Sequence, residues 1–214
     1  MIRHPQPSTL GPNPLDPSPS ATEADRGHRP SLSGIILAGG RGQRMGGIDK
    51  GWQEYQGQPL IQYALERLRP QVDEVLISAN RNLARYQQLG HPVVSDLQQG
   101  FPGPLAGILA AGRQASAPWL LVVPCDLPQL PLDLAERLLA AAEQEAAPLA
   151  MAHDGVRSQQ LCLLLQRRLL DDLDGYLACG ERRVISWIER HSWTQADFSD
   201  RPQAFSNLNH PTPK

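Results

Sequence analysis

Apolar and polar positions along the chain follow two periods. Short runs of consecutive apolar residues read as strands covered on both faces: GIILA over 34–38, EVLIS over 74–78, PVVSD over 92–96 and WLLVVPCD over 119–126. Between them the apolar residues recur every three or four positions. In PLIQYALERL over 59–68, Ile61, Leu65 and Leu68 share one face, and Pro59 stands at a plausible first helical position. RNLARYQQL over 81–89 predicts a short helix that stops at Gly90. GPLAGILAAGRQA over 103–115 predicts a buried helix, and PLDLAERLLAAAEQEA over 131–146 a long amphipathic one. This β-α-β-α-β-α-β order implies right-handed crossovers and a mostly parallel sheet with helices on both faces. Beyond Pro148 the pattern loosens into LAMAHD, QQLCLLL, RRLLDDLDGYL and ERRVISWIERH. These pieces read as an addition that shapes a second substrate pocket.

The first 30 residues stand apart, with seven of the twenty prolines and almost no large apolar side chains. Such a segment cannot bury enough surface to offset its ordering entropy, so 1–30 is expected to be a disordered Pro-rich tail. It has no apolar h-region of a secretory signal, and Asp16, Glu23 and Asp25 balance its three arginines, a poor match to a transit peptide. Residues 31–214 are then expected to form a single domain around one sizeable core. A net charge of −2, with acids and bases interspersed, offers no basic face for nucleic acid. No uninterrupted apolar run approaches the roughly 18 residues that a membrane span needs. Cys125, Cys162 and Cys179 form no C-x-x-C pair, which favours a reducing, cytoplasmic compartment over a disulfide framework. The six histidines show no H-x-x-x-H spacing, which speaks against zinc.

The first strand opens into LAGGRGQRMGGIDK over 37–50, with five glycines and three basic residues. The dinucleotide fingerprint G-x-G-x-x-G is not met, because after Gly40 and Gly42 the next glycine is Gly46, one residue late. The P-loop pattern is not met either: Ile48 follows Gly47 where lysine is required, and Gly51 follows Lys50. The physics beneath both patterns remains. Glycines let backbone N–H groups form a concave nest for phosphate, and Arg41, Arg44 and Lys50 supply charge for a polyphosphate. A plain surface loop can have the same composition. The loop's position after a buried-type strand favours phosphate, since ligands of open α/β sheets sit at the carboxyl ends of strands.

Further polar residues fall at such ends. Ser78 and Asn80 follow the second strand, Asp96 ends the third, and Asp126 ends the fourth. Asn80 and Asp96 could equally cap helices. Asp126 closes the most apolar strand, where a carboxylate needs a partner, and Mg²⁺ usually takes one or two carboxylates plus substrate phosphates. A structural cap is the alternative for Asp126. Cys125, facing the opposite way in strand geometry, reads as a buried, inert thiol.

With these residues in view, the chain resembles a known family. LAGGRGQRMGGIDK fits the nucleotidyltransferase signature L-A-G-G-x-x-x-R-M-G-x-x-K with one residue inserted before the lysine. MGGIDKG is similar in particular to the molybdenum cofactor guanylyltransferases. SANR, SD at Asp96, FPGPLAG, PCDLP, HDG, GERRV and NLN follow in that family's order, so the resemblance covers 34–209. It implies a Rossmann-like three-layer α/β/α nucleotidyltransferase fold, with a nucleotide half at about 31–130 and an acceptor-binding half at about 131–214. The implied reaction is transfer of GMP from Mg-GTP to the terminal phosphate of molybdopterin, releasing pyrophosphate and forming molybdopterin guanine dinucleotide.

By position, the resemblance gives Leu37, Ala38 and Gly39 to the guanine and ribose, and Gly40 with the loop after it to the phosphates. Lys50 would neutralise charge near the α-phosphate, Ser78, Asn80 and Asp96 would contact the nucleotide, and Asp126 would hold Mg²⁺. Arg183, Asn207 and Asn209 would serve the acceptor. Transient contact with molybdenum insertion proteins or apo-oxidoreductases belongs to the same expectation. The chain departs from the family at Ser78, which replaces an asparagine, at Gln160, which replaces a proline, and at His210, which replaces a threonine; it also ends five residues after Asn209, where relatives continue with a helix. The competing readings are a cytidylyltransferase, a sugar-phosphate nucleotidyltransferase, or a non-catalytic GTP-binding or cofactor-carrier protein.

Overall fold

A computed structural model describes residues 29–39, 49–96 and 103–208. In chain order the elements are β1 (Leu32–Leu37), β2 (Glu54–Tyr55), β3 (Gln58–Pro59), α1 (Leu60–Leu68), β4 (Glu74–Ser78), α2 (Leu83–Gln87), β5 (Val93–Val94), α3 (Pro104–Gln114) and β6 (Trp119–Pro124). They continue with α4 (Leu134–Gln144), β7 (Leu149–His153), β8 (Ser158–Gln166), α5 (Leu170–Ala178), α6 (Val184–Ile188) and β9 (Thr194–Asp197). Among the described residues seven strands form one sheet in the order β5-β4-β1-β6-β8-β7-β9, and β2 pairs with β3 in a separate hairpin. Every strand of the large sheet runs parallel to β1 except β8, which is antiparallel to both β6 and β7.

The continuous apolar runs are explained by burial on both faces. Ile36, Ile77, Val123 and Leu164 point to the side covered by α1 and α4. Their neighbours Ile35, Leu76, Val122 and Leu163 point to the side covered by α3, α5 and α6. All eight are buried, so the sheet is the middle of three layers. The mostly parallel α/β architecture read from the sequence is therefore the one observed. The pieces after Pro148 do not form a separate appendage. β7, β8 and β9 extend the same sheet, with β8 wedged beside β6.

Several boundaries differ from the predicted ones. Pro59 is the N-cap of α1 and pairs with Glu54 in the hairpin, so the helix starts one residue later. The third strand shrinks to two residues. The fourth ends at Pro124, leaving Cys125 and Asp126 just beyond it. Residues 1–28 lie outside the described residues. Arg29, assigned to the tail by its composition, donates to the Gln71 carbonyl and to Asp73 Oδ1, the latter at 3.1 Å. No helix among the described residues is long and apolar enough to cross a membrane.

Candidate active site

From β1 the chain moves to β4 and β5 on one side, then crosses by α3 to β6 on the other. The α1 and α3 connections cover opposite faces, so a crevice opens at the carboxyl ends of β1 and β6, the switch point where α/β sheets bind ligands. Hydrogen bonds carry the ladder past the strand ends: Cys125 N–H donates to Leu37 O at 3.2 Å, and Ala38 N–H to Ser78 O at 2.8 Å. A cavity of about 490 Å³ fills this crevice, lined by Leu37, Ala38, Gly39, Lys50, Gly103, Pro104, Cys125 and Asp126 among others. Cys125 is buried, and burial pushes its thiol up to about 12, as expected for an inert thiol.

Lys50 Nζ and Asp126 Oδ2 form an ion pair across the cavity. Asp126 is buried while the Lys50 side chain remains one-third exposed, so its ammonium is within reach of an anion that enters the cavity. A second cavity of about 580 Å³ lies beyond, lined by Asp126, Arg157, Gln159, Gln160, Ile185 and Asn207 among others. Pro124, Asp126 and Leu161 belong to both walls. Asp126 thus stands at the seam of two compartments. Its backbone also draws in the distal segment, because Leu208 N–H donates to Asp126 O at 3.4 Å.

The donor set at the seam suits a hard cation that shares its coordination with a phosphate. Asp126 Oδ1 has no protein partner among the described residues, while Oδ2 is held by Lys50. No group of three or more His, Cys, Asp or Glu among the described residues could cage a metal alone. One carboxylate with substrate phosphates is the usual arrangement for Mg²⁺.

Beside Gly39, behind the cavity wall and not itself part of it, lies a reciprocal pair. Asn80 Nδ2 donates to Asp96 Oδ2 at 2.8 Å, and Asp96 N–H donates to Asn80 Oδ1 at 2.9 Å. Asn80 is not a helix cap; that position belongs to Asn82. A Cβ on Gly39 would come within 3.2 Å of the Asn80 amide nitrogen, so the glycine and the pair are in close contact. Asp96 Oδ1 is enclosed and has no hydrogen-bond partner among the described residues. Burial raises the Asp96 carboxyl above its usual range, opposed by the Asn80 amide. An enclosed acceptor without a donor costs about 1–3 kcal/mol, which a ligand N–H would relieve.

Ser78 is placed differently. It is buried beneath α3, where a Cβ on Gly107 would lie 2.4 Å from its Oγ, and it does not line the cavity wall. The missing side chain of Gly107 is what lets α3 seat against that hydroxyl.

In the second cavity the structure corrects one expectation. With ERRVISWIERH read as one helix, Arg182 and Arg183 fall in its first turn, where an anion binds between them and the helix end. Arg183 is instead the extended N-cap of the five-residue α6, and Arg182 precedes it. Gly180 ends the α5 segment, and the stretch to Arg183 is spent tying back to it. Arg182 Nη1 donates to Leu177 O at 3.0 Å, and Tyr176 Oη donates to Arg183 O at 3.1 Å. Arg183 does not line the cavity; Arg157 does. Asp154 builds the turn that presents Arg157. Its Oδ1 accepts from the N–H groups of Val156 and Arg157, both at 2.8 Å, and its Oδ2 from Gln159 Nε2 at 2.6 Å. Burial works to raise the Asp154 carboxyl, but these hydrogen bonds together hold it below its usual range. The Asp-Gly turn signal at 154–155 is visible in the sequence, although its target is not. Gly40, the following loop to Ile48, and Asn209 lie outside the described residues; Asn207 lies on the second cavity.

Comparison with known proteins agrees with the fold. Residues 34–195 match the family model described as the MobA-like NTP transferase domain. The molybdenum cofactor guanylyltransferase of Shewanella sediminis is 50% identical over 183 residues, 86% of this chain and 93% of that protein. The enzyme of the same name from Shewanella putrefaciens is 47% identical over 178 residues, 83% of this chain and 91% of its own. Among solved structures, molybdopterin-guanine dinucleotide biosynthesis protein A from Archaeoglobus fulgidus superposes with a TM-score of 0.68 at 22% identity, covering 84% of this chain and 93% of that one.

Proposed function

The chain belongs to the MobA-like NTP transferase family, and from that membership we propose that it transfers GMP from GTP to the terminal phosphate of molybdopterin. Pyrophosphate leaves and molybdopterin guanine dinucleotide is formed. The observation that carries this reading is the Lys50–Asp126 pair at the seam of two adjoining cavities. A transfer between two bulky substrates needs two compartments and a charge-neutralising centre where they meet.

In this reading the guanosine occupies the cavity at Leu37, Ala38 and Gly39, and the phosphates are the part of GTP that the glycine-rich signature from Gly40 would serve. Asp96 Oδ1, held in aim by Asn80, accepts from the N1–H or 2-amine of guanine, where adenine has an N1 acceptor and a bare C2–H. Arg157, Gln160 and Asn207 face the acceptor from the second cavity. The acceptor's phosphate oxygen attacks the α-phosphorus, forming the new P–O bond as the bond to the bridging oxygen of pyrophosphate breaks. A phosphate monoester is already ionised at neutral pH, so no general base is required. Lys50 exchanges Asp126 for the α-phosphate and stabilises the charge that builds up in the transition state. The cavity walls hold the two substrates in line. Asp126 is the residue that would hold the divalent metal, Mg²⁺ in this reading, which supplies further neutralisation of the phosphates. The free thiols of Cys125, Cys162 and Cys179 favour the cytoplasm, from which the product would pass to an insertion protein or an apo-oxidoreductase.

A nucleotide panel tests the assignment. GTP with Mg²⁺ should raise the melting temperature more than ATP, CTP or UTP at equal concentration, since a ligand bound only by the folded state stabilises it according to its affinity. Equal shifts for all four would remove guanine selectivity.

A further inference from the structure

Lys50 follows a residue to which no role has been given. Both carboxylate oxygens of Asp49 are occupied from the α2 segment: Tyr86 Oη donates to Oδ1 at 2.6 Å, and Asn82 Nδ2 donates to Oδ2 at 2.9 Å. Asn82 reaches it from a left-handed backbone, with φ 49 and ψ 32 at the start of α2. Tyr86 is fully buried, its ring centroid 5.0 Å from that of Trp52, whose other neighbour is the Arg85 guanidinium at 3.8 Å. Burial and, after it, the bond to Asp49 push the phenol well above its usual range, so the hydroxyl stays a donor.

The residue after Lys50 is fitted to the same hydroxyl. A Cβ on Gly51 would lie 2.3 Å from Tyr86 Oη, a distance no side chain tolerates. The backbone is closed as well: Trp52 N–H donates to Asp49 O at 3.1 Å, and Gln53 N–H to Lys50 O at 3.2 Å, making the short 3₁₀ turn Lys50–Trp52. Lys50 is therefore pinned on both sides, while its own side chain reaches Asp126. The clamp starts two residues after Asn80, so one short segment aims Asp96 and also anchors the lysine.

We propose that Asp49, Asn82 and Tyr86 are positioning residues for the transfer, fixing the backbone from which Lys50 reaches the α-phosphate. The inference rests on the reading of Lys50 as the phosphate-facing cation. A displacement of about 1 Å at such a group can cost roughly 100-fold in rate.

The test compares two ligands on purified, folded protein. Tyr86→Phe keeps the ring packed against Trp52 and removes only the hydroxyl. It should weaken GTP by roughly tenfold and lower kcat with it, a fraction of the roughly 100-fold that misplacing Lys50 by about 1 Å can cost. Guanosine, measured by competition against a fluorescent GTP analogue, has no phosphate for Lys50 and should change by less than about twofold. Asp49→Asn, which leaves the buried ring in place, is the second variant and should show the same split between GTP and guanosine. The double variant should be no worse than the weaker single variant, because both remove one clamp. Equal weakening of GTP and guanosine, or no weakening of either, overturns the proposal in favour of a purely structural contact. Wild-type GTP affinity in Lys50→Ala would instead remove the role of the lysine, and the clamp's function with it.

Discussion

The guanine assignment turns on one atom, Asp96 Oδ1, and Asp96→Asn tests it. The Asn80 amide donates to Oδ2 at 2.8 Å, so the introduced amide keeps its oxygen there and its NH₂ group takes the place of Oδ1. An acceptor becomes a donor without a change of size. Hydrogen bonds to charged groups contribute about 1.5–3 kcal/mol, so GTP should weaken by roughly 10- to 150-fold. Xanthosine triphosphate, which carries a carbonyl where guanine carries its amine, should improve in the same variant. Titration calorimetry with both nucleotides on wild type and variant gives all four affinities. The free variant should be no less stable than wild type at neutral pH. Burial raises the folded carboxyl above 3.8, so ionised Asp96 destabilises the fold once pH exceeds that ordinary value, and a neutral amide removes the penalty. In wild type, GTP affinity should fall on acidification from a pH above the usual aspartate range, and the variant should lack that component. Unchanged GTP affinity with no gain for the xanthine nucleotide would refute guanine recognition by Asp96.

Two further outcomes follow from the seam and the second cavity. Asp126→Asn leaves a one-third exposed Lys50 able to turn to solvent, so circular dichroism should report an intact fold while product formation falls by about 100-fold or more, as for loss of a preorganised charge; wild-type turnover would remove the metal-holding role. Arg157→Ala should raise the KM for molybdopterin by about tenfold with GTP affinity nearly unchanged, and Arg183→Ala should do less, since only Arg157 lines the cavity; steady-state kinetics with each substrate varied would reverse the assignment if Arg183→Ala proved the more damaging.

What the sequence disclosed depends on how local the signal is. β1, β4 and β6 were legible because residues such as Ile35 and Ile36 are both buried, which makes a continuous apolar run. Asp126 was legible because a carboxylate after such a run is costly unless it has a partner. The direction of β8 was not, since a buried strand has the same composition whichever way it runs beside β6. For α6, the spacing of Val184, Trp187 and Ile188 revealed the helix but not its first residue, and the displaced boundary moved both arginines out of it. Arg157 sits in a readable Asp-Gly turn, yet only the antiparallel return of β8 brings that turn to Asp126. Tyr86 reads as one more helix-face aromatic. Its hydroxyl acquires meaning only through Asp49, 37 positions away.

The most direct test of the account is the reaction itself, run with purified protein, Mg²⁺, molybdopterin and each of GTP, CTP and ATP. Pyrophosphate is followed in time and the pterin product identified by mass. The account predicts one pyrophosphate released per molybdopterin guanine dinucleotide formed, with GTP far ahead of the other two and no turnover without the pterin. Formation of the cytosine dinucleotide at an equal or greater rate, or tight GTP binding with no pyrophosphate released, would contradict it.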